Sequence, residues 1–319
     1  MKIAHISDLH LDFYHKKQNN TNTLHLLEYI AESNYDHLII SGDITENSDR
    51  NSFLLARKLL SKFGLLNSSK LTLTIGNHDI YGGVHLAEDV INFPSRCKNT
   101  NYNDKVSEFA GYFSEAFPKH TKEQLSVFPF IKELDDAVLI SLNSIAQYSY
   151  VKNPFASNGK IDLAQLESVL ELLKDVPENK KRIVITHHHF SRESTDISPE
   201  AGSVWQAIEK QTMKLRGKKK VLKSLMSMGV ELILHGHLHE NSAYSRSDIA
   251  INNAGGSILS RTKGKMFVNT IDTSNSGELL QSFSMLDKPV LTDDIENFTP
   301  IQSYITNRVP QKPEAICLN

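Results

Sequence analysis

Five short clusters of oxygen and nitrogen donors follow one another along the chain: Asp8-Leu9-His10, Gly42-Asp43, Gly76-Asn77-His78-Asp79, Thr186-His187-His188-His189 and Gly236-His237-Leu238-His239. Carboxylates, imidazoles and a neutral amide oxygen are donors that suit borderline divalent ions such as Mn, Fe, Co, Ni or Zn. One carboxylate has about four lone-pair sites, so Asp43 can hold two cations at once. His78 is an imidazole, a group that gives or takes a proton near neutral pH. Asp8 and His10 stand two apart, as do His237 and His239, and on an extended chain such pairs point the same way. The same alternation lets at most two of His187, His188 and His189 face one site. By alternation alone, either His187 and His189 or His188 faces that site. The chemistry these residues imply is metal-assisted, with a proton-transfer group beside the metals.

Each cluster directly follows an apolar run: Ile3 to Ile6, Leu38 to Ile40, Leu71 to Ile75, Ile183 to Ile185 and Leu232 to Leu234. Such runs read as buried strands of parallel type. Ligand sites in open α/β sheets form beyond the carboxyl ends of strands, so the five clusters are expected at one edge of one sheet. Helix-spaced apolar residues fall at Thr21 to Ser33, Asn51 to Phe63, Leu163 to Leu173 and Lys218 to Met228, with Ser48, Asp49 or Asn51 capping the second. Ala137 to Leu142 is another strand. Ile249 to Ala254, Met266 to Ile271 and Leu279 to Met285 alternate like strands of a second sheet. The stretch 81–129 reads as a partly helical insertion beside the site, and 190–217 as a lid-like segment, helical around Val204 to Leu215. The catalytic domain spans 1–285, and 286–319 is a proline-bearing C-terminal extension.

The order and spelling of the clusters resemble the calcineurin-like metallophosphoesterases, from Asp8 to His239. The resemblance implies a four-layer αββα sandwich of two mixed β-sheets flanked by helices, with a dinuclear metal site at the strand C-terminal edge. It implies two divalent ions, Mn, Fe or Zn, with Mn or Fe favoured. Asp8, His10 and His239 would hold one ion; Asn77, His187 and His237 would hold the other, with Asp43 between them. It further implies hydrolysis of a P–O bond by a hydroxide shared between the metals, with the catalytic His78 assisting departure. Asp79 braces the loop. The Ser/Thr phosphatase branch continues its Gly-Asp motif into an Asp-Arg pair and ends the next motif in Glu. Here the run is Gly42-Asp43-Ile44-Thr45-Glu46-Asn47 and the motif ends in Asp79. Glu46 can orient His78, but that arginine is missing. The spelling is closer to the bacterial-type branch that includes cyclic-nucleotide phosphodiesterases.

The 319 residues are 39% hydrophobic and 23% charged, ordinary for a globular enzyme. A net charge of −2 carries no basic footprint for a dedicated nucleic-acid binder. Two cysteines are too few for a disulfide framework. No apolar stretch reaches membrane-spanning length, and His5, Asp8 and His10 interrupt any signal sequence, so a cytoplasmic location is expected. The leading reading is a phosphodiesterase acting on a small phosphate ester, with nucleotides among the candidates. His189, Arg192 and Arg96 are candidate substrate contacts. A repair-type nuclease and a phosphomonoesterase are the enzyme alternatives, and an interaction scaffold is the non-enzyme one.

Overall fold

A computed structural model describes residues 1–84, 87–118, 127–191, 213–260, 262–274 and 279–290. Two large sheets hold the chain. The first takes β1 (Lys2–Ile6), β2 (His37–Ser41) and β3 (Leu71–Thr74), linked by helices α1 (Lys17–Glu32) and α2 (Arg50–Lys62). After β3 come a single turn α3 (His78–Tyr81), then α4 (Ala87–Asn99) and α5 (Tyr102–Tyr112). The second sheet starts with β4 (Phe130–Glu133) and β5 (Ala137–Ser141). A two-residue β6 (Gly159–Lys160) and α6 (Leu163–Leu172) lead to β7 (Lys181–Ile185). Then follow β8 (Leu215–Arg216), α7 (Lys218–Ser227), β9 (Val230–His235), β10 (Ser242–Arg246) and β11 (Ile249–Asn253). The last two strands are β12 (Lys265–Asp272) and β13 (Leu280–Asp287).

Strand order is β13-β12-β1-β2-β3 in the first sheet and β10-β11-β9-β7-β5-β4 in the second. The strands β1, β2 and β3 run parallel, as do β5, β7, β9 and β11, while β12, β13, β10 and β4 are antiparallel additions. Two expectations are corrected here. The five clusters are split, three on the first sheet and two on the second. Of the three late strands, only β11 joins the second sheet; β12 and β13 return to the first. Apolar runs announce strands, but they do not state which sheet receives them.

Side-chain alternation explains the layering. Ile3, Ile39 and Ile271 on one sheet meet Leu139, Ile183, Ile185, Leu232 and Leu234 on the other, forming the layer between the sheets. The opposite faces carry Ala4, Ile6, Leu38 and Ile40 against α1 and α2, and Val138, Ile140, Val184 and Ile233 against α6 and α7. The molecule is therefore a four-layer αββα sandwich. Thr74 Oγ1 donates to Leu142 O at 2.9 Å, and Ser141 Oγ donates to Leu73 O at 3.1 Å. These bonds join the two sheets at the strand ends that carry the site.

Asp49 is the cap of α2, its carboxylate accepting from Ser52 N at 3.0 Å. The first helix starts four residues before the expected Thr21, through the polar Lys17-Gln18-Asn19-Asn20. Those amides face inward: Asn19 Nδ2 donates to His10 O at 3.1 Å and Asn20 Nδ2 to Asp12 O at 2.7 Å. Leu215 lies in β8, paired in parallel with β6, so the expected helix cannot reach it. Residues 204–212 of that expected helix, most of 190–217 and residues 291–319 lie outside the described residues, and Met213 and Lys214 are not helical.

Candidate metal centre

Past their last paired residues, β1 and β2 continue as coupled loops. Asp8 N donates to Gly42 O at 3.1 Å, His10 N to Asp43 O at 3.0 Å and Leu11 N to Ile44 O at 2.9 Å. The chain is not extended there, contrary to expectation. Asp8 (φ 55°), His10 (φ 43°), Asp43 (φ 48°) and His237 (φ 70°) are all left-handed. This conformation costs roughly 1–2 kcal/mol for a residue with a Cβ. Strain held at four donor residues is of the kind stored at functional sites. Gly236 is required by crowding: a Cβ there would overlap Ser7 Oγ and Asp8 Oδ2. His237 N donates to both Asp8 oxygens, at 3.1 and 2.9 Å, so the second sheet orients a carboxylate of the first.

Among the described residues the donors converge in three groups, one of them His10, Glu46 and His78, and the other two made of the expected ligands. In one of these two, Asp8, His10 and His239 bring donor atoms within 4.8 Å of one another. His10 Nε2 lies 3.2 Å from His239 Nε2 and 3.8 Å from Asp8 Oδ1. In the other, Asp43, His187 and His237 converge equally closely. His187 Nε2 lies 3.1 Å from His237 Nδ1 and 3.2 Å from Asn77 Oδ1. Asp43 stands between the groups. Its Oδ2 is 3.2 Å from His187 Nε2 and 3.9 Å from His10 Nε2, while its Oδ1 accepts from His78 N at 2.8 Å. His187 Nδ1 meets Ser41 O at 2.9 Å, which aims Nε2 inward.

The electrostatics call for positive charge. Burial resists ionisation of Asp43, but His187, His78 and His10 hold its carboxyl well below the ordinary range. Burial also disfavours charge on His10, yet Glu46, Asp8 and Asp43 outweigh it and hold that imidazole up at about 10. His187 is likewise held at about 9, its burial overcome chiefly by Asp43. Burial, with His188 and His187, pushes His237 well down. Desolvation of the ring, with His10 beside it, pushes His239 down to about 4, although this side chain is 44% exposed. Ionised carboxylates and close-set imidazole nitrogens, all buried except His239, match the donor set of a divalent cation. By donor chemistry and convergence, the residues fit two such ions.

His78 differs from these. Its ring is 24% exposed and stands edge-on to His10, with centroids 4.6 Å apart. Its Nδ1 meets Glu46 O at 3.2 Å and lies 3.6 Å from Glu46 Oε1. The other oxygen of Glu46 serves His10 Nδ1 at 2.8 Å and Lys16 Nζ at 2.9 Å. Glu46 therefore touches His10 as well as His78. The link from Lys16 through Glu46 to His10 is absent from any short motif, because it depends on how α1 folds back over the β1 loop. Asp79 accepts from Thr45 N at 2.8 Å, Gly76 N at 3.0 Å and Ile44 N at 3.3 Å, tying the Asp43 loop to the Asn77 loop.

His188 is fully buried, with Nδ1 on Ser144 Oγ at 2.9 Å and Nε2 on Ser157 O at 3.0 Å. His189 departs from its expected substrate contact. Its Nε2 lies 2.8 Å from Met213 O and its Nδ1 2.6 Å from Ser191 Oγ, so both ring nitrogens are engaged within the protein. Arg96 Nη2 donates to Gly83 O at 2.5 Å and its guanidinium lies over Phe93. Arg192 lies outside the described residues.

The sequence pattern of the calcineurin-like phosphoesterases matches residues 1–241. No curated protein matches the chain. Among solved structures, the purple acid phosphatase PPD1 from yellow lupin (Lupinus luteus) seeds is similar with a TM-score of 0.51 at 11% identity. That match covers 90% of this chain and 53% of the lupin chain. A dimetal phosphatase from Danio rerio gives 0.49 at 12% identity, covering 88% and 98%. A putative 5'-nucleotidase from Staphylococcus aureus gives 0.44 at 16% identity, covering 90% and 54%. This chain thus spans about half the length of the lupin and staphylococcal chains. At such identities these likenesses concern the fold. With the pattern matched over 241 of 319 residues, the chain belongs to the calcineurin-like phosphoesterases.

Proposed function

We propose that the chain is a dinuclear-metal phosphodiesterase of the bacterial-type branch, acting on a small phosphate ester. The carrying observation is the single carboxylate oxygen of Asp43, set between two convergent donor groups. Asp8, His10 and His239 would hold one ion, Asn77, His187 and His237 the other, and Asp43 both, with Mn or Fe favoured. When bound, such ions supply an activated water nucleophile and neutralise charge on the phosphoryl oxygens. The chain's own groups do the rest. His78 N fixes Asp43 Oδ1, so Oδ2 stays turned toward both donor groups. His78 Nδ1 rests on the Glu46 carbonyl, leaving Nε2 to pass a proton to the departing oxygen. Glu46 and Lys16 brace His10, and Asp79 holds the two loops in register.

A diester fits this site better than a monoester for a reason of charge. A phosphomonoester is close to doubly charged near neutral pH and a diester singly charged. The arginine that the Ser/Thr phosphatase branch carries after its Gly-Asp motif is missing after Asp43. Of the cations described near the site, Lys16 is paired with Glu46 and Arg96 is bound to Gly83 O. Among the described residues no helix is long and apolar enough to cross a membrane.

The test is hydrolysis of bis(4-nitrophenyl) phosphate and 4-nitrophenyl phosphate by metal-stripped protein after adding Mn. Diester turnover that requires Mn and disappears in Asp43→Asn is expected. Preference for the monoester would move the chain to the phosphatases, and turnover by Asp43→Asn equal to wild type would overturn the shared-carboxylate reading.

A further inference from the structure

Phe109, Phe113 and Phe117 turn inward and pack with Phe53, Phe128 and Phe130 into the dry core behind the first sheet, where Tyr112 stacks on Phe53. Tyr81 belongs to the same buried cluster, and Tyr102 and Tyr148 pack against its margin. Tyr81 and Tyr102, with Tyr148 from the loop after β5, line an open cavity of about 350 Å³ between the end of α4 and the start of α5. Lys98, Asn103 and Gln147 stand at its rim, and all three are exposed. Polar groups dominate the lining, so this is no unfilled part of the core.

Hydrogen bonds fix the wall. Tyr102 OH donates to Ile145 O at 2.8 Å and accepts from Asn143 Nδ2 at 2.9 Å. Tyr81 OH accepts from Tyr148 N at 2.8 Å. The Tyr81 and Tyr102 rings lie 6.5 Å apart at 38°. Tyr81 is three residues after His78 on α3, and residues at that spacing are neighbours on one helix face. The cavity wall therefore shares α3 with the group placed at the leaving oxygen.

Fixed aromatic rings, amide groups at the rim and a nearby cation describe a particular ligand. It is a flat heterocycle with a hydrogen-bonding edge, carried on the alcohol of a phosphate ester. Tyrosine rings stack on any nucleobase, and side-chain amides pair with base edges. A volume of about 350 Å³ lies at the lower end of ligand pockets, enough for one small group and too small for a folded partner.

We propose that this cavity is a nucleobase subsite, in which the wall built on Tyr81, Tyr102 and Tyr148 and the amides of Asn103 and Gln147 receive the base of a nucleotide ester. The proposal rests on the phosphoesterase reading for the position of the phosphate, and its test separates the two. Adenosine 5'-monophosphate and ribose 5-phosphate are titrated calorimetrically into the Mn-loaded full chain. The expected result is at least tenfold tighter binding of the nucleotide, with that ratio collapsing in Gln147→Ala and in Tyr148→Ala. Gln147 is exposed, so its variant keeps the test open should Tyr148→Ala fail to fold. Equal affinities in the wild type, or a ratio that survives in the folded variants, overturn the subsite. Hydrolysis of bis(4-nitrophenyl) phosphate by the same wild-type sample reports on the metal centre independently. Turnover without base preference removes the subsite alone. Base preference without turnover keeps the subsite and removes the catalytic reading.

Discussion

His10 and His78 are imidazoles 4.6 Å apart beyond the ends of β1 and β3, yet their surroundings give them different work. His10 is 2% exposed, faces Asp8 and Asp43 and is braced from behind by Glu46, the setting of a ligand. His78 reaches solvent and uses one ring nitrogen on a backbone carbonyl, the setting of a proton carrier. His78→Ala is therefore expected to keep both metals, by elemental analysis, while kcat falls by roughly 10²–10⁴. Loss of metal in that variant would mean that His78 is a ligand. The triple histidine offers a matched comparison. His187→Ala should lose metal, whereas His188→Ala should retain it but unfold more easily, since Ser144 and Ser157 lose their partner. The reverse ranking in metal content would place the wrong histidine in the site. At this scale the sequence was informative because metal ligands must be particular residue types. The Ser41 carbonyl behind His187 was not legible, because backbone groups carry no letter.

Among the elements, those with apolar runs were readable and the edges were not. Both β4 and β10 were missed. The first, Phe-Ile-Lys-Glu, is short and only half apolar; the second, Ser-Ala-Tyr-Ser-Arg, lies at a sheet edge and keeps no fully buried side chain. The start of α1 was missed because its polar first turn looks like a loop until Asn19 and Asn20 are seen holding the His10 loop. A histidine inside an element gives a prediction about stability. His37 of β2 is buried, its Nδ1 2.9 Å from Ser69 O and its Nε2 2.8 Å from Thr72 Oγ1. Burial pushes its pKa down to about 4, with Lys132 adding to the effect against the Ser69 bond. A depressed value means that the unfolded chain binds the proton more readily. His37 therefore imposes no penalty above the unfolded value of about 6.5, and stability is lost as pH falls from there toward 4. By pH 5 the loss is on the order of 2 kcal/mol. Urea unfolding at pH 7.5 and pH 5 should show a smaller difference for His37→Gln than for the wild type; an unchanged difference would clear His37 of this role.

At the scale of the whole molecule, the site exists because two sheets pack face to face over one layer of aliphatic side chains, which brings their strand ends together. Neither sheet alone completes either of the two groups that contain the expected ligands. Asp8 and His10 come from the first sheet and His239 from the second; Asp43 and Asn77 come from the first, His187 and His237 from the second. The apolar runs indicated that five strand ends carry ligands, while the resemblance supplied the second sheet. Periodicity alone could not do so, because a strand buried on both faces reads the same in either sheet. Under the proposed function Asp43 joins two metals, each held by donors from both sheets. The most direct measurement is metal stoichiometry with electron paramagnetic resonance on Mn-loaded protein, compared with Asp43→Asn. Two ions per chain with the spectrum of an exchange-coupled pair, and loss of that coupling in the variant, are predicted. One ion per chain, or two ions showing no coupling in the wild type, would contradict the account.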